Sequence, residues 1–263
     1  MTPVTIGSPV LADGMFDLTG RRAVVSGASR GIGRAIALAF AERGAEVLAV
    51  ARGREGLEET ARAADGYTGR ILVCPADLRS PESIASTIET AASELGGIDI
   101  LVNNAADDHD SSIEQTELAV WRRVLELNLE SSWLMCQAAS PHLRDGGGKV
   151  INVASMLGLV AIRNDSAYIS AKHGLVGLTK ALALEWGRRN VQVNALAPGF
   201  VDTEMMSSAL GDEQTADWIR RGTPMGRWAE TKEMTGPAVF LASSASDFMT
   251  GQVLVVDGGW TAQ

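Results

Sequence analysis

Residues 22–40, RAVVSGASRGIGRAIALAF, carry the strongest indication of the fold. It begins as a short apolar run, passes three glycines and continues as an alanine-rich helical pattern. Gly27 permits a sharp exit from a strand, Gly31 lets a phosphate approach the backbone, and Gly33 allows close helix–strand contact. A helix N-terminus offers free N–H groups to phosphate. An ordinary glycine-rich turn is the alternative, but the strand–turn–helix context favours a dinucleotide site.

The same alternation of short apolar runs and helical segments continues along the whole chain. Further strands are predicted at residues 45–51, 70–76, 98–103, 149–153, 191–196 and 252–256. Helices are predicted at residues 55–64, 81–95, 118–140, 166–187, 207–221 and 232–243. This pattern is typical of a doubly wound α/β fold, a seven-stranded parallel sheet with helices on both faces. We expect an N-terminal arm at residues 1–17 and a single domain at residues 18–263.

Composition limits the classes of partner. The chain has 263 residues, 46% hydrophobic and 21% charged, which is ordinary for a globular protein. Its formal net charge of −9 argues against nucleic acid or an anionic membrane surface as a partner. Cys74 and Cys136 are isolated, His142 and His173 show no metal spacing, and no long apolar run is present. We therefore expect a cytoplasmic protein with no metal site.

The end of the second predicted strand bears on cofactor choice. Dinucleotide folds that take NAD usually place an acidic residue there to hold the ribose 2′-OH, but this chain has Ala51. Arg52 follows, and Arg30 lies in the glycine turn, so two guanidiniums could grip a 2′-phosphate. Two solvated surface arginines are the alternative. The sequence predicts NADP(H), with NAD(H) as the alternative cofactor.

A pair of side chains suited to proton transfer lies in SAYISAKHGLVGLTKALALEWG, residues 166–187. Tyr168 and Lys172 are four residues apart on a predicted helix, so they present a phenol and an ammonium to the same space. A free tyrosine has a pKa near ~10, and a nearby cation lowers it. We expect an acid/base pair that works near neutrality, against the alternative of two surface side chains.

Several motifs together resemble the short-chain dehydrogenase/reductase family over nearly the whole chain. They are SGASRGIG, Asp77 after the third strand, NNAA at 103–106, Asn128, Ser155, Tyr168, Lys172 and PGFVDT at 198–203. The resemblance implies one Rossmann-like domain that moves hydride between a nicotinamide and a carbonyl or secondary alcohol. Two positions depart from the family pattern, with Ala106 in place of glycine and Ser26 in place of threonine.

The resemblance also implies roles for individual residues. Ser155 would hold the substrate oxygen, Tyr168 would be the general acid/base, and Lys172 would lower its pKa and bind the nicotinamide ribose. Asn128 would hold a water that relays protons. The cofactor-binding residues implied are Gly27, Ser29, Arg30, Gly31, Ile32, Gly33, Arg52, Asp77, Leu78, Asn104, Ala105, Tyr168, Lys172, Pro198, Gly199, Val201 and Thr203.

Some expectations concern the surroundings of this site. The family resemblance implies a homotetramer, and the helices at residues 118–140 and 166–187 are apolar beyond one stripe. Residues 202–228 would form a substrate lid, in which Trp218, Met205 and Met206 either bound an apolar substrate or pack between helices. His109, within ADDHDSS, could line the mouth of the pocket, but a solvated loop is the favoured interpretation, and the acidic residues beside it lack a calcium-loop pattern.

The small-molecule substrate is left open by the sequence. GRWAETKEM and VDGGWTAQ are similar to 3-oxoacyl-thioester reductases and to gluconate-type dehydrogenases. We expect an NADP(H)-dependent oxidoreductase. The alternatives are an NAD(H)-dependent alcohol or sugar-acid dehydrogenase and a non-catalytic dinucleotide-binding protein.

Overall fold

The computed structural model describes residues 14–144 and 146–262. The predicted N-terminal arm lies mostly outside the described residues. Of its last four residues, Asp17 donates its N–H to Gly14 O at 3.1 Å, and its carboxylate accepts hydrogen bonds from Thr19. The boundary at residue 18 stays a prediction.

Seven parallel strands form one sheet, in the order β3-β2-β1-β4-β5-β6-β7. The strands are β1 (Arg22–Ser26), β2 (Glu46–Ala51), β3 (Arg70–Pro75), β4 (Ile100–Asn103), β5 (Gly148–Val153), β6 (Val191–Pro198) and β7 (Val253–Val256). The order reverses between β1 and β4, and ligands of doubly wound sheets bind at the carboxyl ends of strands beside that point. The predicted seven-stranded α/β fold is confirmed.

Helices cover both faces of the sheet. They are α1 (Gly31–Glu42), α2 (Arg54–Ala63), α3 (Pro81–Leu95), α4 (Leu118–Leu125), α5 (Ser131–Arg144), α6 (Ser166–Trp186), α7 (Ser207–Gly211), α8 (Glu213–Gly222) and α9 (Thr235–Ala242). Val25 of β1 packs in a core with α1, α2 and α9, whereas Val24 packs in a second core with α3, α5 and α6. Alternate strand residues therefore anchor opposite helical layers. None of the described helices is long and apolar enough to cross a bilayer.

Two helices differ from their predicted forms. The predicted helix at residues 118–140 contains a π-helical turn at Glu126–Glu130 between α4 and α5. The predicted helix at residues 207–221 is interrupted at Asp212, whose extended backbone ends α7 and whose carboxylate accepts the N–H of Thr215 at 2.8 Å to begin α8.

Candidate active site

The glycine turn between β1 and α1 has the geometry that a pyrophosphate requires. Gly27 and Gly31 have φ of 66° and 56°, a region that side chains disfavour. A Cβ on Gly27 would lie 2.7 Å from Asn104 Nδ2, and one on Gly33 would collide with the Gly27 carbonyl. Arg30, at the N-cap of α1, makes no side-chain cap. The amides of this helix end therefore face the cleft without a side-chain acceptor, and the residues present fit a dinucleotide.

A cleft of about 870 Å³ runs from this turn to the start of α6. It is lined by most of the predicted cofactor residues, namely Gly27, Ser29, Arg30, Gly31, Ile32, Arg52, Asp77, Leu78, Asn104, Ala105, Tyr168, Lys172 and Thr203. Gly33, Pro198, Gly199 and Val201 lie outside this lining. Gly33 packs against the turn, and Val201 is buried and bridges Ala229.

The cleft also has charged lining residues that the sequence analysis did not single out. They are Arg34, Glu59, Arg79 and Glu204. Arg34 lies one helical turn after Arg30, and Glu204 directly follows Thr203. Both residues are therefore next to predicted cofactor residues, and their positions in the sequence could have indicated that they line the cleft. Glu59 belongs to α2 and pairs with Arg34 at 3.5 Å, a contact between helices that no local pattern reveals.

At the end of β2 the cleft is cationic and exposed. Arg52 follows Ala51 and lines the cleft, as predicted. Arg30 forms an ion pair with Glu204 at 2.8 Å, with side-chain exposures of 68% and 62%. The Arg30 guanidinium, which is the predicted second cation of the 2′-phosphate site, is therefore paired with the Glu204 carboxylate.

At the other end of the cleft, β5 and α6 bring together the predicted catalytic side chains. Lys172 is 2% exposed, and its Nζ donates to Val153 O at 2.8 Å. The same Nζ lies 5.3 Å from the centre of the Tyr168 ring. Ser155 lies just after β5, where its Oγ accepts the N–H of Leu157 at 3.1 Å, and its side chain lowers the pKa of the Tyr168 phenol. Tyr168 and Lys172 line the cleft, whereas Ser155 is buried behind its lining.

Asn128 lies in the π-helical turn and is 1% exposed. Its Nδ2 donates to Asp107 O at 2.7 Å and to Val124 O at 2.8 Å, and its buried Oδ1 accepts no hydrogen bond from the described residues. Asp107 is in turn held by Arg79 and Arg123, each at 3.0 Å. The amide is therefore fixed in orientation with one acceptor free, as a water-binding group would need.

The pKa of Tyr168 does not follow the prediction. Burial raises the pKa, the charges of Asp108 and Asp165 raise it further, and the hydrogen bond with Ser155 lowers it. Burial also lowers the pKa of Lys172 to about 8, against which the charge of Asp108 acts. Burial and the charges of the two carboxylates outweigh the effect of the Lys172 ammonium, so the expected lowering of the phenol pKa is wrong.

Asp108 and Asp165 form a pair of carboxyl groups beside Tyr168. Their side chains share a hydrogen bond. Burial raises the pKa of Asp165 to about 8, with the charge of Asp108 as the next cause, and burial also raises the pKa of Asp108. The expectation of a solvated loop at ADDHDSS therefore needs correction, because His109 is half-buried and only Asp110 of the acidic cluster is exposed.

The segment at residues 202–228 leaves and rejoins the fold at one point. Val201 bridges Ala229, and Asp202 donates its N–H to Ala229 O at 2.8 Å. Within it, Trp218 packs edge-to-face on Phe200 and Trp260, with ring centroids 5.8 and 5.0 Å away. Trp218 is nevertheless 47% exposed, and neither ring partner lies in an α-helix, so both interpretations of Trp218 stay predictions. The lid itself stays a prediction.

Comparison with known proteins agrees with this architecture. A family model described as enoyl-(acyl carrier protein) reductase matches residues 27–261. The gluconate 5-dehydrogenase of Gluconobacter oxydans is 36% identical over 248 residues, 94% of this chain and 97% of that protein. The D-threitol dehydrogenase of Mycolicibacterium smegmatis is 40% identical over 247 residues, 94% of this chain and 95% of that protein.

A solved structure is also similar to this chain over nearly its whole length. It is described as a putative NAD(P)-dependent gluconate 5-dehydrogenase from Beutenbergia cavernae with bound NADP. It is 44% identical, with a TM-score of 0.91, covering 95% of this chain and 100% of that one.

Fold and cleft together define a dinucleotide-dependent oxidoreductase of the Rossmann type. The chain belongs to the short-chain dehydrogenase/reductase family. The family resemblance and the enzyme class predicted from the sequence are confirmed.

Proposed function

We propose that this protein is an NADP(H)-dependent dehydrogenase or reductase that interconverts a small secondary alcohol and its carbonyl. The observation that carries this is that Tyr168 and Lys172 line the cleft together, with the Lys172 ammonium 5.3 Å from the centre of the phenol ring. When bound, the nicotinamide supplies or accepts the hydride. The coarser conclusion, an oxidoreductase of this family, is already given by the comparisons.

The chain's own residues handle the substrate oxygen and its proton. The Ser155 hydroxyl and the Tyr168 phenol are donors placed where negative charge develops on that oxygen. In reduction Tyr168 gives its proton to the oxygen, and in oxidation it takes the proton back. The raised pKa of Tyr168 keeps the phenol protonated at neutral pH, which is the form that reduction requires.

Reprotonation of Tyr168 is the task we assign to Lys172 and Asn128. The ammonium of Lys172 is anchored on the Val153 carbonyl beside the phenol ring. Its pKa of about 8 leaves it mostly protonated at neutral pH and able to pass a proton. The free Oδ1 of Asn128 would hold the water that connects this ammonium to solvent.

The predicted cofactor, NADP(H), agrees with the bound NADP of the Beutenbergia cavernae structure. The glycine turn would hold the pyrophosphate, Asp77 and Leu78 the adenine, and Arg52 with Arg30 the 2′-phosphate. Ala51 leaves the ribose without a carboxylate that would favour NAD(H).

For the substrate we propose a small polyhydroxylated alcohol or its ketone. Support comes from relatives described as dehydrogenases of gluconate and threitol, both chains of adjacent hydroxyls. The predicted cytoplasmic location and lid remain proposals.

A homotetramer also remains a proposal. Leu184 on α6 is 86% exposed and Trp133 on α5 is 46% exposed, and apolar side chains of this size favour burial against another subunit.

The test is a nicotinamide absorbance assay with a panel of polyols and ketones. We expect NADP⁺ reduction with at least one polyol in the panel. NADP(H) binding without turnover of any alcohol or ketone would favour the non-catalytic alternative.

A further inference from the structure

We propose that Arg34 on α1 is a further binding residue for the 2′-phosphate of the cofactor, and that the Glu59 carboxylate competes with this phosphate for the Arg34 guanidinium. The proposal rests on the proposed function, because it concerns the NADP(H) that the cleft is proposed to bind. It adds a third cation to Arg30 and Arg52, and it gives Glu59 an influence on the choice between NADP(H) and NAD(H).

Helix α2 is packed against the glycine turn, so that the side of α2 facing the cleft has a defined position. The buried Thr60 hydroxyl of α2 donates to Ala28 O in the turn at 3.0 Å. Gly56 of α2 packs so closely that a Cβ added there would lie 3.1 Å from the Ser29 Cβ. Charged groups on this side of α2 therefore lie beside the turn that is proposed to bind the pyrophosphate.

Arg34 and Glu59 both line the cleft, together with Arg30 and Arg52. The N–H of Arg34 donates to Arg30 O at 3.2 Å, so the two arginines are one helical turn apart and share a face. Glu59 is three residues after Gly56, which lines the cleft as well. One carboxylate and three guanidiniums therefore belong to the same wall, at the end of β2 where a 2′-phosphate is expected.

The ion pair of Arg34 and Glu59 can be broken at little cost. Its N–O distance of 3.5 Å is at the long limit of a hydrogen bond, and the two side chains are 33% and 50% exposed. Ion pairs between exposed side chains contribute little to stability. The guanidinium is therefore available to a ligand that offers it a stronger partner.

A 2′-phosphate is such a partner. A phosphate monoester carries about −1.5 to −2 charges at neutral pH and has three acceptor oxygens, whereas a carboxylate has a single charge. NADP(H) would therefore draw Arg34 away from Glu59. NAD(H) has a 2′-hydroxyl in place of the phosphate and would leave the ion pair intact, so Arg34 and Glu59 act on the difference between the two cofactors.

Fluorescence titration with NADPH and NADH tests this without turnover. Arg34→Leu should weaken NADPH binding by about fivefold or more, the effect of one charge-assisted hydrogen bond at a partly exposed site. NADH affinity should stay within about twofold, which also shows that the variant is folded. Calorimetry with adenosine 2′,5′-bisphosphate and adenosine 5′-monophosphate should give the same difference, because these fragments differ only in the 2′-phosphate.

A double-mutant cycle tests the competition. Glu59→Gln should strengthen NADPH binding about two- to threefold and leave NADH binding unchanged, because it frees a weakly paired guanidinium. In the Arg34→Leu background this gain should disappear, since Glu59 then has no guanidinium to withhold. A gain that persisted in full would overturn the competition, because the carboxylate would be acting on the phosphate directly.

Helix α2 also supplies the matched controls. Glu58 is adjacent to Glu59 and pairs with Arg54 at 3.8 Å, but these two residues are not part of the cleft lining. Glu58→Gln and Arg54→Leu remove the same charges as the test variants and should change the affinity for either cofactor by less than about twofold. Equal shifts in the controls would overturn the proposal in favour of general surface charge.

The outcomes separate this proposal from the proposed function. If Arg34→Leu changed NADPH and NADH binding equally, or changed neither, the assignment of Arg34 would be overturned and the reaction would be unaffected. If the variants shifted NADPH binding as expected but the wild type turned over no alcohol or ketone, the reaction would be overturned and the assignment of Arg34 supported.

Discussion

At the cofactor end of the cleft the ion pair of Arg30 and Glu204 is exposed, whereas Lys172 and Asp165 near the reaction end are buried. Arg30 and Glu204 have 68% and 62% of their side chains exposed, while Lys172 and Asp165 are 2% and 6% exposed. Exposed charges are screened by salt and keep their ordinary hydration, whereas buried ones change each other's pKa. Variants at the first end should therefore alter cofactor affinity, and variants at the second should alter rate and pH dependence.

The largest effect should come from Tyr168→Phe. Its phenol is the proton donor in our proposal, and a phenylalanine ring has no proton to donate. We expect kcat to fall by ~10³ or more, within or above the range of general acid/base groups. NADPH affinity, measured by fluorescence titration, should change less than about threefold, because the glycine turn and the arginines remain.

Tyr67 is the matched control, since it is the other of the chain's two tyrosines and is 38% exposed. Tyr67→Phe should leave kcat unchanged. If Tyr168→Phe kept a near-normal kcat, the acid/base assignment would be wrong.

The second effect concerns the exposed end. Ala51→Asp with Arg52→Ile introduces a carboxylate that accepts the ribose 2′-OH and repels a 2′-phosphate. We expect NADPH affinity to fall by more than tenfold and NADH affinity to rise, because a charge-assisted hydrogen bond contributes about 1.5–3 kcal/mol. Titration with each cofactor measures this without turnover.

Arg54→Ile is the control, because Arg54 is an exposed arginine that begins α2 and pairs with Glu58 at 3.8 Å. It should not change the NADPH-to-NADH ratio. Equal affinity of the parent for NADH and NADPH would mean that Arg30 and Arg52 are only surface charges.

The features that the sequence could predict are those set by local patterns along the chain. The glycine turn and the apolar strands are local patterns, because positive φ and a strand buried on both faces restrict residue type position by position. The spacing of Tyr168 and Lys172 is also local, since both lie on one helix.

The electrostatics of the reaction end could not be predicted in this way. Asp108 and Asp165 are far apart in sequence and meet only because the loop after β4 packs against α6. Their effect on Tyr168 depends on burial, which the letters ADDHDSS do not reveal. The π-helical turn at Asn128 was missed because its residues keep the helical periodicity on either side.

The third prediction concerns the buried end and stability. Because the folded-state pKa of Asp165 is about 8, raised from an ordinary value of 3.8, the folded chain binds a proton there that the unfolded chain has lost. Stability from this group is therefore lost as pH rises toward 8. Asp165→Asn removes this loss, so at pH 8 it should be more stable than the wild type by about 1–3 kcal/mol, a few degrees in Tm.

Thermal unfolding at pH 5 and pH 8 measures it. Near pH 5 the difference between variant and wild type should be small, because Asp165 is protonated in the folded chain. Lys172 has the opposite sign, since its lowered pKa makes stability rise between pH 8 and its ordinary 10.5. The stabilities of variant and wild type are therefore compared only up to pH 8, below the range in which Lys172 contributes. If Asp165→Asn were less stable than the wild type at pH 8, the Asp165 carboxylate would be stabilised by a partner in the folded chain and not destabilised by burial.

The smallest effect should come from Glu204→Gln at the exposed end. Glu204 holds Arg30 at 2.8 Å, so a 2′-phosphate must compete with this carboxylate for the guanidinium. Exposed ion pairs are weak, and freeing Arg30 should raise NADPH affinity only about two- to threefold, with no change for NADH. The gain should disappear in high salt, unlike any effect at the buried pair.

Glu213→Gln is the control, because Glu213 is an exposed carboxylate in the same segment, and it should change neither affinity. If Glu204→Gln instead lowered the affinity for both NADPH and NADH, the ion pair would serve to hold residues 202–228 over the cleft. Glu204 would then not compete with the 2′-phosphate for Arg30.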